Sequence, residues 1–255
     1  VSVNMGTATG AEICGQYDVE GDRADQLVMN QHGFDPMAFT HREYIFPKFT
    51  TMGCTWCGVG ELSCATPGHS PSAGACRTWI RCSTFTRAHE FGHNYGLGHS
   101  GHTKRGVWHE YGDYSSIMAD TQDERWKLMS APHRFALGWL PSDTTETWIR
   151  NTRVALTASP HVGVEQDDGV RTLIALPCPK CEWAPGRAPS TGGVVIVSYR
   201  SAFSPYDVPL SSPDSFDYLN KVHVHLLTGI DAIISSELLT ADLGAGDTFE
   251  AVSGH

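Results

Sequence analysis

The chain has 255 residues, of which 40% are apolar and 18% charged, and a formal net charge of −10. That suffices for one large core or two modest ones. It contains no Lys/Arg-rich run, which argues against nucleic acid or an anionic membrane surface as partner, and no apolar run near the roughly 18 residues of a membrane span. The sequence opens on Val1 without an initiator Met and reads as a processed or trimmed chain, so a missing signal segment does not count against secretion.

In chain order, Ala24 to Ala38 carries Leu27, Val28, Met29, Phe34 and Met37, a loosely amphipathic helical pattern. Tyr44-Ile45-Phe46 before Pro47 reads as a strand. Residues 50–76 are rich in Cys, Gly, Ser and Pro, with turn signals at Pro67-Gly68 and Pro71, and read as an irregular loop held by disulfides. Thr78-Trp79-Ile80 is a short strand candidate. Ser83 or Thr84 then caps a helix on which Phe85, Ala88, Gly92 and Tyr95 form the core stripe and His89 and His93 another. Gly96 suits the left-handed stop of that helix, and Gly98 the freedom to swing His99 back. Pro132 to Trp139 reads as a short helix capped by Ser130. Strands are expected at Arg171–Leu176, Gly193–Tyr199, Val222–Leu227 and Asp247–Val252, with turn-rich Pro205–Pro209 and Ser211–Asp214 between them. This spacing suggests a β-sandwich. The expected organisation is an α/β domain over residues 1–145 followed by an all-β sandwich-like domain over 146–255.

Eight cysteines, five of them between 54 and 82, look like a disulfide framework and hence an oxidising compartment. Cys54-Thr-Trp-Cys57 and Cys178-Pro-Lys-Cys181 could also build a four-sulfur zinc site or act as redox pairs. The long gap between them favours ordinary disulfides. Pairing is open at this level, with Cys178–Cys181 one plausible close pair.

His89-Glu90-Phe91-Gly92-His93-Asn94-Tyr95-Gly96-Leu97-Gly98-His99 carries the chemistry. Two His at i and i+4 share one helix face, and a third after a glycine break can close the site. Three imidazoles leave a fourth position open, the layout of a catalytic rather than a structural zinc. Such an ion lowers the pKa of its water toward about 7. Glu90 can take the water proton and pass it to the leaving amine.

The motif resembles that of the metzincin metalloproteases. Tyr111-Gly-Asp-Tyr-Ser-Ser-Ile-Met118, with Met118 19 residues past His99, resembles the turn that sets a methionine beneath the metal in that group. Matrix metalloproteases share Gly92, Leu97 and Ser100 but have a much shorter His-to-Met segment. Adamalysins usually carry Asp where Ser100 stands, and astacins and serralysins Tyr where Asp120 stands. The set H-N-x-G-L-x-H-S, Y-G-D-x-S-S-x-M and A-P-H-R-x-x-L-G-W (Ala131 to Trp139) is similar to the gametolysin family. The likeness covers residues 85–140 and extends weakly into Val195–Arg200 and Lys221–Leu226. Ala119 departs from the Gly expected after Met118. The resemblance implies a metzincin-like catalytic domain over residues 1–145, with a twisted sheet above the active-site helix and a lower subdomain from Gly101 that carries Met118 in its turn. It implies one catalytic Zn2+ on His89, His93 and His99, with Glu90 activating the zinc-bound water. It also implies a secreted endopeptidase acting on extracellular matrix or cell-wall (glyco)proteins. The alternative from another class is a matrix- or glycan-binding module that retains a zinc site.

Other residues carry weaker signals. Tyr111 or Tyr114 could contact substrate or donate to the oxyanion, though packing is the more usual role. His223 and His225 alternate on a strand and read as a solvated strand face. His102 and His109 are loop histidines that could line the cleft. Cys14 faintly resembles an inhibitory cysteine of metalloprotease precursors, but a disulfide uses the even count better. Glu165-Gln-Asp-Asp-Gly169 lacks the spacing of a calcium loop, so Ca2+ is unsupported and a polar turn is the reading. Oligomeric state is not legible.

Overall fold

The computed structural model describes residues 1–3, 14–46, 54–62, 64, 76–119, 127–140, 145–147, 173–178, 193–200, 218–219, 221–230 and 233–243. Most of the 50–76 loop, the Glu165–Gly169 segment, the turn-rich stretches at 205–214 and the strand expected at Asp247–Val252 lie outside these. The chain divides into two units, Val1–Gly96 and Leu97–His255. The protein is a mixed, sheet-rich α/β protein with few helices.

The first unit begins with helix α1, Tyr17–His32, which starts and ends earlier than the apolar pattern suggests. Its buried residues are Glu20, Gly21 and Asp25, not Leu27 to Met29. The reason is a buried polar contact: Asp25 accepts from Arg42 and, at 2.8 Å, from the Tyr44 hydroxyl. A buried carboxylate with both partners is tolerated where an unpaired one is not. Strands β1 (His41–Ile45), β2 (Gly58–Gly60) and β3 (Cys76–Ile80) form a sheet of order β1-β3-β2. β1 runs parallel to β3, while β2 is antiparallel to β3 and forms an edge. On β1, Arg42 and Tyr44 point inward and their neighbours outward, the period-2 alternation of a half-buried strand. Trp79 is the centre of the core, with Tyr17 edge-on at 4.9 Å and Tyr44 stacked at 5.7 Å. Burial of an aromatic side chain of this kind stabilises by about 2–3 kcal/mol.

Disulfides Cys14–Cys54, Cys57–Cys82 and Cys64–Cys76 staple this unit. Cys54 and Cys57 therefore pair with other cysteines and not as half of a zinc site, and Cys14 is committed to Cys54. Cys178 is also disulfide-bonded.

The second unit is built on one sheet of order β5-β4-β10-β9-β8-β7-β6. Its strands are β4 (Leu97–Lys104), β5 (Val107–His109), β6 (Thr145–Thr147), β7 (Leu173–Cys178), β8 (Gly193–Arg200), β9 (Lys221–Ile230) and β10 (Ile233–Leu243). The sheet draws strands from both sides of residue 145. β7 to β10 pair antiparallel, β4 joins β10 in parallel, and β6 joins β7 in parallel. A short helix, Ala131–Ala136, packs on β8, β9 and β10. Its Ala131 meets Leu173, Ala175, Ile196 and Leu227 in the core.

His223 and His225 lie on β9 in the middle of this sheet and are buried, not solvated. Each has a bonded ring nitrogen: His223 Nε2 donates to the Tyr218 carbonyl at 2.6 Å, and His225 Nε2 lies 3.1 Å from Asp113 Oδ2.

Candidate metal centre

Helix α2, Thr84–Asn94, starts at Ser83, whose backbone is extended and whose hydroxyl lies 3.3 Å from that of Thr86. His89, Glu90, Gly92 and His93 are buried on it. The far end of the helix is pinned by Asn94, whose Nδ2 donates to the Glu61 carbonyl at 2.8 Å and the Arg77 carbonyl at 3.3 Å. The helix packs on β2 and β3. The contact with β2 is close: a methyl group at Gly60 would sit 2.6 Å from the Glu90 carbonyl oxygen, and one at Gly58 2.5 Å from Glu90 Oε1. Only a glycine strand can pass the helix at this distance.

The helix stops where Gly96 takes a left-handed φ of 85° and donates to the His93 carbonyl at 2.9 Å. Strand β4 follows at once, carrying His99. Gly98 does not supply a left-handed turn; it supplies room, because a Cβ there would collide with Ser235 of β10. Over residues 89–99 the chain thus brings three imidazoles together. Their ligand nitrogens all lie within 4.8 Å of one another. The rings of His89 and His93 meet edge-on, with centroids 4.8 Å apart.

Glu90 adjoins this cluster in sequence and is buried, and burial pushes its carboxyl up to about 8. A cation held by the neighbouring imidazoles would restore the charged form. The donor set suits the same ion: imidazole nitrogens are ligands of choice for zinc, with Zn–N bonds of about 2.0–2.1 Å. The residues present therefore fit a metal ion.

The segment from Tyr111 to Met118 is knitted to β4 on both sides of Ser100. The Ser100 N–H donates to the Met118 carbonyl at 2.9 Å, and the Asp113 N–H donates to the Ser100 carbonyl at 3.1 Å. The Ser100 hydroxyl donates to Ser116 Oγ at 2.9 Å and lies 3.0 Å from Ser236 Oγ. Met118 and Ala119, the residue that stands where Gly was expected, are both fully buried. Asp113 accepts from the Ser115 N–H at 3.1 Å and its hydroxyl at 2.5 Å. Arg200 reaches the Ser115 carbonyl from β8.

Tyr111 and Tyr114 are both partly exposed; the Tyr111 ring lies 4.0 Å from that of His99, and Lys127 sits over Tyr114 at 5.8 Å. His102 pairs opposite His109 in the β4–β5 hairpin, and its Nδ1 donates to the Leu238 carbonyl at 2.7 Å. Glu110 lies 2.8 Å from His99 Nδ1. Motif spacing does not mark Glu110; the two-residue Arg105-Gly106 turn, which folds the chain back along β4, is the signal that could have found it.

A histidine cluster able to hold one ion, with a buried carboxylate adjoining it in sequence, is the kind of centre a metallopeptidase needs. The family model described as Gametolysin peptidase M11 matches residues 1–244, and the chain belongs to that family. It is similar to Autolysin of Chlamydomonas reinhardtii, 27% identical over 214 residues, which cover 74% of this chain and 31% of that protein. The chain thus spans about a third of the length of this curated relative. No solved structure matches it.

Proposed function

We propose that the chain is a secreted, zinc-dependent endopeptidase of metzincin type that cleaves extracellular matrix or cell-wall proteins and glycoproteins. The observation that carries this reading is the cluster of His89, His93 and His99 within 4.8 Å, with buried Glu90 adjoining it. Family membership supports peptide hydrolysis. The relative's name, Autolysin, supports a wall or matrix as the target. The disulfides support an oxidising, extracellular setting. Among the described residues no helix is long and apolar enough to cross a membrane.

In this mechanism zinc, when bound, supplies a Lewis acid that polarises the scissile carbonyl and acidifies water. His89, His93 and His99 hold it. Glu90 takes the proton of the attacking water and delivers it to the departing amine. Met118 lies in the turn that braces β4 next to His99. Among the described residues β2 is an edge of its sheet and passes directly over Glu90, so an extended substrate pairs there by strand addition. Tyr111 and Tyr114 contact substrate.

The test is zinc content together with casein cleavage, with and without a chelator. Stoichiometric zinc and chelator-sensitive cleavage are expected. Bound zinc without cleavage would favour a binding module instead, and absence of zinc would remove the basis of the reading.

A further inference from the structure

We propose that Glu110 is a positioning residue for the metal: its carboxylate fixes the tautomer and orientation of His99 so that the ring presents Nε2 to the ion. The inference rests on the zinc reading above and adds a residue to it.

Glu110 Oε1 lies 2.8 Å from His99 Nδ1. A carboxylate accepts and does not donate, so Nδ1 is the protonated nitrogen and Nε2 carries the free lone pair. A neutral imidazole without such a partner exchanges between two tautomers, only one of which can ligate through Nε2. The carboxylate also raises the basicity of the ring it holds. Of the three clustered histidines, His99 needs this most. His89 and His93 are buried on a helix, whereas the His99 side chain keeps 21% of its surface exposed. Helix packing limits their rotation; His99 projects from a strand.

The hairpin explains how the contact forms. Arg105 and Gly106 both adopt left-handed φ angles, 54° and 77°, the pairing of a two-residue turn with matched twist. β4 and β5 then pair His102 with His109. Glu110, the next residue, returns to the His99 end of β4. Tyr111 follows and lays its ring against His99 at 4.0 Å, tilted by 39°. The dipeptide Glu110-Tyr111 thus bonds one ring nitrogen and covers one ring face. Glu110 itself is half exposed, so replacing it leaves no buried hole.

The experiment is zinc competition against a chromogenic chelator on the full chain, comparing the parent with Glu110→Ala and Glu110→Gln. Glu110→Ala is expected to weaken zinc binding about 10- to 100-fold. Glu110→Gln is expected to lose less, because its amide oxygen still accepts from Nδ1. Melting of the chelated proteins should be unchanged in both, separating a metal-positioning role from a structural one. Nitrogen NMR of histidine-labelled, zinc-loaded parent should show His99 protonated at Nδ1. Parent-like zinc affinity in both variants, or His99 ligated through Nδ1, would overturn the proposal. If Glu110→Ala fails to fold, Glu110→Gln and the tautomer measurement decide it. A parent that binds no zinc would overturn the zinc reading as well.

Discussion

Asp113 Oδ2 and His225 Nε2 lie 3.1 Å apart across 112 residues of sequence, both inside the second unit with their side chains almost wholly buried. Burial alone would raise the Asp113 carboxyl. The hydrogen bonds from His225 and Ser115 and the charges of His225 and His223 outweigh it and hold the group well below the usual carboxylate range. The pair ties the turn that carries Met118 to the centre of the large sheet. Asp113→Asn weakens the bond to His225 and puts an amide between donors, and is expected to cost about 3 kcal/mol. Urea unfolding would measure this; a loss under 1 kcal/mol would mean the pair is not a tether.

Acid should destabilise the second unit through His223. Burial first, and then the charges of His225 and Arg200, push its pKa down from 6.5 to about 3, with Asp113 pulling the other way. Above pH 6.5 the folded and unfolded states are both neutral and the stability is fully present. As pH falls toward 3 the unfolded chain takes up a proton that the folded chain refuses, so stability is lost. Asp113, also lowered, adds a loss of the same sign at still lower pH. Between pH 6.5 and 4.5 the expected loss is about 2 kcal/mol. Unfolding midpoints at several pH values, with His223→Gln as the flattened comparison, check it.

Glu90→Gln keeps the shape of the side chain and removes the base. Casein cleavage is expected to fall by about 10²- to 10⁴-fold while zinc content stays at the parent level. Loss of zinc in parallel would instead point to a role for Glu90 in holding the ion, and retained activity would remove it from the chemistry.

Gly60→Ala tests the approach of β2 to the helix. The added methyl would meet backbone, the Glu90 carbonyl oxygen at 2.6 Å, so strand or helix must shift. Stability should fall by about 2 kcal/mol from overpacking. A displacement near 1 Å should cost up to about 100-fold in kcat/KM. Gly15→Ala is the comparison, since a Cβ there meets nothing within 4 Å and should change stability by under about 0.5 kcal/mol. Equal behaviour of the two variants would show that the β2 contact is not tight.

Local rules carried a definite part of this protein. The i, i+4 spacing of His89 and His93, the Ser83 start and the Gly96 stop depend on helix geometry and one backbone angle, so they are legible one residue at a time. Strands β3, β7 and β8 follow from short apolar runs in the same way; the helix at Ala131 starts with Pro132 in its first turn, and the Ser130 side chain expected to cap it makes no cap hydrogen bond. The family likeness was legible because its motifs lie within contiguous stretches.

What needed tertiary structure was everything set by partners distant in sequence. α1 buries Asp25 in place of its apolar residues because Arg42 and Tyr44 wait on β1. Gly98 is small because Ser235 lies against it, and β2 is glycine-rich because Glu90 lies beneath it. His223 and His225 became core residues because β9 took a central place in a sheet that also recruits β4. Sequence by itself marked His89, His93 and His99 as candidate ligands and Glu90 as candidate base, since their spacing is a property of one helix and one turn. Only the folded chain decided which distant residues meet, Glu110 with His99 beside the cluster and Asp113 with His225 under the Met118 turn, because such hydrogen bonds leave no periodic trace in the chain that makes them.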